Sequence, residues 1–187
     1  MKFPSQWSRD GRLLVYEERD PKTKSDLWVL PLDGDRKPRP FLQTEFSEVH
    51  GQLSPDGRWM AYTSDESGRP EVYVRPFPSG SGKWKVSTAG GHQPRWRRDG
   101  KNLYYLGLDR KLMEVPVKPV SGARPGFEVG APEALFETRV PPAPPLVASS
   151  FYDVTADGKR FLINTSGGEN AEAPLFVVAG WQAGLKK

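Results

Sequence analysis

Four Asp-Gly pairs recur in one sequence setting along the 187-residue chain, at Asp10-Gly11, Asp56-Gly57, Asp99-Gly100 and Asp157-Gly158, with spacings of 46, 43 and 58 residues. A period of this length means that one supersecondary unit is copied along the chain, and that each copy buries its faces against its neighbours. The register around the pairs agrees. Three residues before each Asp stand Trp7, Leu53, Trp96 and Val154, and a base follows each Gly: Arg12, Arg58, Lys101 or Lys159. Three residues after the Gly come Leu14, Met60, Leu103 and Phe161, and two further on Tyr16, Tyr62, Tyr105 and Ile163. A separation of two places both sets on one face of an extended strand.

A further apolar stretch follows each time: Leu27-Trp28-Val29-Leu30, Val72-Tyr73-Val74-Arg75, Leu112-Met113-Glu114-Val115 and Leu175-Phe176-Val177-Val178. The first three run into Pro31, Pro76 and Pro116. Proline lacks a ladder donor, so a strand end is predicted there. Short outer strands are predicted at Phe41-Leu42-Gln43, Trp84-Lys85-Val86 and Ala134-Leu135-Phe136. Asp-Gly is read as a tight hairpin turn joining the first strand to the second, with Gly, and tolerably Asp, at positive φ.

The unit is therefore a four-stranded blade, and the fold class is all-β: a β-propeller of four blades, at about 3–44, 45–89, 90–138 and 149–183, forming a single segment. The repeat begins abruptly, with an innermost strand expected over Phe3 to Ser8. Left open, the array would expose apolar faces and strand edges at both flanks. The expected arrangement is the C-terminal part of a larger propeller; closure as four blades, or a homodimer completing an eight-bladed ring, are the other ways to cover those faces.

Composition narrows the chemistry. Gly and Pro, nineteen of each, are dispersed rather than clustered, as many short strands require. With no Cys, disulfides, thiolate metal sites and Cys nucleophiles are excluded. No apolar run is long enough to form a membrane-spanning helix, and Met1 to Asp10 holds no apolar signal core. The net charge of +4 is a mild bias whose densest basic stretch is Arg95-Trp96-Arg97-Arg98. The stretch is too short for a nucleic-acid stripe, so no nucleic-acid partner is expected.

Several segments invite a chemical reading. Ser79-Gly80-Ser81-Gly82-Lys83 lacks the first Gly of a phosphate loop, since Phe77 stands there, and Trp84 replaces the Ser or Thr after the Lys. It is read as a turn. No Gly-x-Ser-x-Gly elbow exists for a hydrolase nucleophile. The turn aspartates occur once per blade, which marks them as structural. His50 and His92, the only two histidines, are each expected just before a blade's innermost strand, on the connection from the preceding outer strand, near one mouth of the central channel. They are the candidate ligand-binding residues, against the plainer alternative of two solvated loop histidines. A third and fourth metal ligand are not evident, so no metal site is expected, no residue is assigned as catalytic and no cofactor is implied. The proline run Pro141-Pro142-Ala143-Pro144-Pro145 lengthens the last spacing; it is read as a stiff spacer or binding loop on the same rim as the histidines.

Ser54-Pro55-Asp56-Gly57-Arg58 followed by Met60-Ala61-Tyr62 resembles the TolB-type, WD-like propeller repeat. The stretch Glu71-Val72-Tyr73-Val74-Arg75-Pro76-Phe77-Pro78, then Gly82-Lys83-Trp84-Lys85-Val86-Ser87-Thr88, Pro94-Arg95-Trp96 and Leu112-Met113-Glu114-Val115-Pro116-Val117, resembles the C-terminal propeller of bacterial membrane-anchored serine/threonine protein kinases, as does the ending through Trp181-Gln182-Ala183-Gly184-Leu185-Lys186-Lys187. That resemblance implies a sensor domain on the extracytoplasmic side of a membrane, although no kinase motif stands in this sequence. The expected function is a non-catalytic binding or sensing scaffold, not an enzyme, taking a protein or small-molecule ligand at its rim and making no membrane contact of its own. The alternatives are a TolB-like periplasmic protein-interaction propeller and a propeller-based hydrolase or lyase acting at the channel mouth.

Overall fold

A computed structural model describes residues 1–79, 81–120, 126–141, 144–165 and 176–179. Gly80, Pro142, Ala143, Leu175 and the ending from Trp181, all part of the sequence reading, lie outside the described residues.

Every regular element among the described residues is a strand. The first sheet runs β1 (Lys2–Trp7), β2 (Leu13–Asp20), β3 (Lys24–Pro31) and β4 (Arg39–Leu42) in that spatial order. The second runs β5 (Glu48–Leu53), β6 (Trp59–Ser64), β7 (Glu71–Pro76) and β8 (Trp84–Lys85). The third holds β9 (His92–Trp96), β10 (Asn102–Leu106) and β11 (Lys111–Val120), with β12 (Gly126–Val129) and β13 (Glu133–Glu137) both pairing with β11. The fourth holds β14 (Tyr152–Val154), β15 (Arg160–Ile163) and β16 (Phe176–Ala179). Each pairing is antiparallel.

The alternation read from the sequence becomes the packing between sheets. Leu103 and Tyr105 of β10 face backward onto Trp59, Ala61, Val72 and Val74 of the second sheet, while Tyr104 and Leu106 face forward onto Phe151, Tyr152, Phe161 and Ile163 of the fourth. Leu53, Met60, Tyr62 and Tyr73 of the second sheet pack likewise against Val15, Leu27, Val29 and Leu42 of the first. Each such side chain, fully buried, contributes about 1.5–3 kcal/mol, so the seams between sheets are the core. The flanks lack this cover. Trp7 is 63% exposed where its counterpart Leu53 is 5% exposed, and Leu162 is 44% exposed where its counterparts Val15 and Ala61 are fully buried. The four sheets are part of a larger propeller.

Two details differ from the sequence reading. The Asp-Gly segments are not two-residue turns with both residues at positive φ. Only the Gly is there, at 75°, 69°, 72° and 72° in chain order. In the first, the Gly11 N–H donates to the Ser8 carbonyl and the Ser8 N–H to Leu13, closing a longer loop. The aspartate serves through its carboxylate: Asp10, Asp56, Asp99 and Asp157 each accept the N–H two residues on, at 3.1, 3.1, 3.0 and 3.0 Å. Ser8, Ser54 and Thr155 add a hydroxyl donor to the same oxygen, and Arg97 a guanidinium. The second difference is at Pro116. β11 passes through it because its partner changes there, from β13 at Glu114 to β12 at Val117, so no ladder bond is demanded of the proline nitrogen. The added hairpin carries Phe127 onto Trp59, Trp84 and Trp96.

Candidate functional site

The four inner strands line one side of the channel, whose two ends differ. Both sequence-derived candidates lie toward one end. His50 sits within β5 and His92 opens β9, with ring centroids 6.3 Å apart. They are buried strand residues, 4% and 8% exposed, rather than solvated loop residues.

The two histidines are not equivalent in the repeat. Each inner strand of the second and third sheets bulges, between Val49 and Gln52 and between His92 and Arg95. The residue at positive φ in each bulge is His50 (59°) and Gln93 (56°), each six residues before its turn aspartate. A bulge turns a backbone N–H away from its own ladder, and here the preceding sheet receives it. The His50 N–H donates to the Glu17 carboxylate at 2.7 Å, the Gln93 N–H to the Thr63 hydroxyl at 3.2 Å, and the Phe151 N–H to the Gln93 side-chain oxygen at 2.7 Å. Pro4, the corresponding residue of the first sheet, has no N–H to present.

The His50 ring completes the closure. Its Nε2 lies 2.7 Å from the Val147 carbonyl and its Nδ1 3.3 Å from the Thr63 hydroxyl. Thr63 Oγ1 already accepts from Gln93, so its own proton goes to Nδ1, and Nε2 carries the hydrogen donated to Val147. This needs a neutral imidazole. Burial supplies it, pushing His50 down to about 3 and His92, by desolvation alone, to about 4. Val147 belongs to the connection between the third and fourth sheets, the stretch containing the proline run. That connection is pinned at Val140, buried among Leu106, Leu112 and Phe151, and at Ser150, whose hydroxyl accepts from Arg95 at 2.7 Å. Its described residues 144–150 form a strap at the histidine end, with Val147 on His50 and Ser150 on Arg95.

The opposite end, where the Asp-Gly loops lie, is open. A cleft of about 1010 Å³ is lined by residues of all four inner strands, among them Gln6, Gln52, Arg95 and Asp153, each four residues before its turn aspartate. Gln6 pairs with both backbone groups of Leu53, accepting from its N–H at 2.5 Å, and Gln52 donates to the Ser5 carbonyl at 3.1 Å. Arg95 faces Asp153 at 3.8 Å and lies over the Tyr152 ring. A second cleft of about 560 Å³ adjoins it, and Arg9, Arg98 and Ala156 line both. Sequence reasoning missed this end as a site; its signal was the unlike set Gln6, Gln52, Arg95 and Asp153 at one repeat position, followed each time by an apolar residue, Trp7, Leu53, Trp96 or Val154. Among the described residues no group of three or more His, Asp or Glu side chains is placed to hold a metal ion.

No protein-family model matches the chain. A curated relative, tricorn protease homolog 1 of Streptomyces coelicolor, is 34% identical over 106 residues, which span 55% of this chain and 9% of that protein. Among solved structures, a TolB from Agrobacterium tumefaciens superposes with a TM-score of 0.55 at 18% identity, over 73% of this chain and 49% of that one. A puromycin-hydrolysing peptidase of Mycobacterium tuberculosis does so with a TM-score of 0.58 at 21% identity, over 84% of this chain and 27% of that one. The TolB-type propeller fold is thereby shown, and the chain spans only part of the length of each of these proteins. The expectation of a non-catalytic scaffold descended from a signalling kinase is corrected: the curated relative carries the name of a protease, and none of these proteins is a kinase.

Proposed function

We propose that the chain is a propeller segment of a peptide-hydrolysing enzyme and that the open channel end receives the peptide. The observation that carries this reading is the 34% identity over 106 residues to a tricorn protease homologue. The geometry supports it: the strap lies at the histidine end, while the loop end offers a wide polar cleft with backbone and side-chain hydrogen-bonding groups from every inner strand. The described residues supply peptide selection rather than bond cleavage. His50 is engaged with Thr63 and Val147 instead of a carboxylate, and a buried neutral imidazole in that state is no general base for a distant nucleophile.

The test is hydrolysis of oligopeptides by the full-length gene product, with and without substitutions in the cleft. Hydrolysis whose KM rises on substituting Arg95 and Asp153, with kcat little changed, is expected. A full-length product that cleaves no peptide would overturn the reading. A second reading, a TolB-like interaction propeller in an extracytoplasmic setting, is favoured by the TolB-type fold; it predicts peptide or protein binding at the same cleft without hydrolysis.

A further inference from the structure

The smaller cleft beside the channel mouth has an uneven division of charge. Four cations line it, Arg9, Arg97, Arg98 and Lys159, with three carboxylates, Asp99, Glu114 and Asp157. Two of the three carboxylates, Asp99 and Asp157, are engaged in hydrogen bonds. Asp99 takes both the Arg97 guanidinium and the Lys101 N–H, and that guanidinium holds its pKa down to about 2. Asp157 takes the Thr155 hydroxyl and the Lys159 N–H, which lower its pKa too. Glu114 stands opposite Tyr104 in the β10–β11 ladder. Of the cations, only Arg97 is in an ion pair among the described residues; Arg9, Arg98 and Lys159 are exposed. The same holds next door, where Asp10 and Asp56 each commit Oδ1 to their own turns.

The repeat therefore fixes its aspartates inside the loops while the residues beside them, Arg9, Arg98 and Lys159, point their charge into a shared opening. They come from three different sheets, so a ligand group between them would be held from three directions. We propose that this cleft is a carboxylate-binding subsite that selects acidic peptides at the channel mouth; the proposal rests on the peptide reading above and names the chemistry of its substrate. Arginine presents a planar fork suited to carboxylate, and unpaired rim cations steer anionic partners toward the opening. An acidic peptide is favoured over single-stranded nucleic acid because, among the described residues, the opening offers no free aromatic face for bases. Trp96 is tied through Nε1 to the Gln52 carbonyl at 3.0 Å, and Tyr104 is 1% exposed.

The test is fluorescence anisotropy on the 187-residue chain with four labelled probes: a Glu-rich peptide with an amidated end, its Gln isostere, the isostere with a free C-terminal carboxylate, and a single-stranded oligonucleotide matched in charge to the first. The acidic peptide should bind about 10-fold or more tightly than the amidated isostere, equivalent to about 1.4 kcal/mol. That preference should weaken with added salt and vanish in Arg9→Ala/Arg98→Ala and in Lys159→Ala/Arg98→Ala, whose exposed sites leave the fold intact. Equal gain from the free C-terminal carboxylate would support the same subsite and identify the terminus as its ligand. Equal affinity for the acidic and neutral peptides, tighter binding of the oligonucleotide, or an acidic preference that survives both double variants would overturn the proposal. None of these results touches the peptidase reading, which stands or falls on hydrolysis by the full-length product.

Discussion

The two ends of the channel are made by the same four inner strands, yet they solve opposite problems. At the histidine end, polar groups are buried and matched across seams: the His50 N–H to Glu17, the Gln93 N–H to Thr63, the His50 ring to Val147. At the rim of the loop end, beyond the seam pairs of Gln6 and Gln52, the matching is local. Each aspartate satisfies its own turn, and the cations beside it stay in water. A buried polar group left without its partner costs about 1–3 kcal/mol, whereas an exposed ion pair contributes about 0–1 kcal/mol. The difference teaches where substitution is tolerated. One end holds the sheets together and resists change; the other can vary its side chains, and so its ligand, with little effect on stability.

The sharpest way to break this comparison is at Gly51, beside His50 in the β5 bulge. A Cβ there would meet Leu27 Cδ2 at 2.9 Å and Val15 Cγ1 at 3.0 Å, both from buried side chains. Gly51→Val should lower unfolding free energy by about 2–3 kcal/mol in urea titration, through overpacking of the seam between the first and second sheets. His50→Leu comes next, at about 1–3 kcal/mol, since it strands the Val147 carbonyl and the Thr63 hydroxyl. Limited proteolysis should then cut the strap near Val147 faster than in the unaltered chain. An unchanged cleavage rate would show that the strap is held by other contacts.

The pH dependence sharpens the same contrast. His50 and His92 have folded pKa values of about 3 and about 4 against an ordinary 6.5. As pH falls below 6.5 the unfolded chain takes up protons that the folded chain refuses. The stability these groups confer is therefore complete above about 6.5 and declines down to about 4 for His92 and about 3 for His50. Glu48 acts in the opposite sense. Burial raises it to about 7 from 4.5, against the hydrogen bond from Thr44 that lowers it, so its contribution is complete below 4.5 and is lost as pH rises to about 7. Between 4.5 and 6.5 the two trends oppose and partly cancel in the unaltered chain, so variants are needed to separate them in thermal melts. Glu48→Gln should make stability rise more steeply with pH between 4.5 and 7, and His92→Gln should flatten part of the acid limb. The smallest effect belongs to the open end: Arg9→Ala and Arg98→Ala should each change stability by less than about 0.5 kcal/mol, while altering the binding of acidic peptides.

Much of the architecture is legible in the sequence because it is local and periodic. The apolar pairs Leu103 and Tyr105, or Met60 and Tyr62, keep step with the turn in every copy, and the structure puts them on one face of each sheet. The turn glycines are legible for the same reason. What escaped is non-local. The equivalence of His50 with Gln93, rather than with His92, arises from bulges that add a residue to each inner strand, and spacing alone cannot reveal where an extra residue is absorbed. The burial of His50 depends on Val147, 97 positions away. The β12 hairpin was missed because Pro116 reads as a strand's end, and only the change of partner along β11 lets the strand continue. The open cleft was overlooked because its residues differ from copy to copy, which is the property that suits them to recognition and hides them from a repeat.

The most direct test of the account is amide hydrogen exchange on the chain, with and without the Glu-rich peptide. Added peptide should slow exchange in the loops around Arg9, Arg98 and Lys159, and leave the amides of His50, Gln93 and the strap at Val147 as they were. Slowed exchange at His50 and Val147, with the loop end unaffected, would contradict it and assign ligand entry to the histidine end.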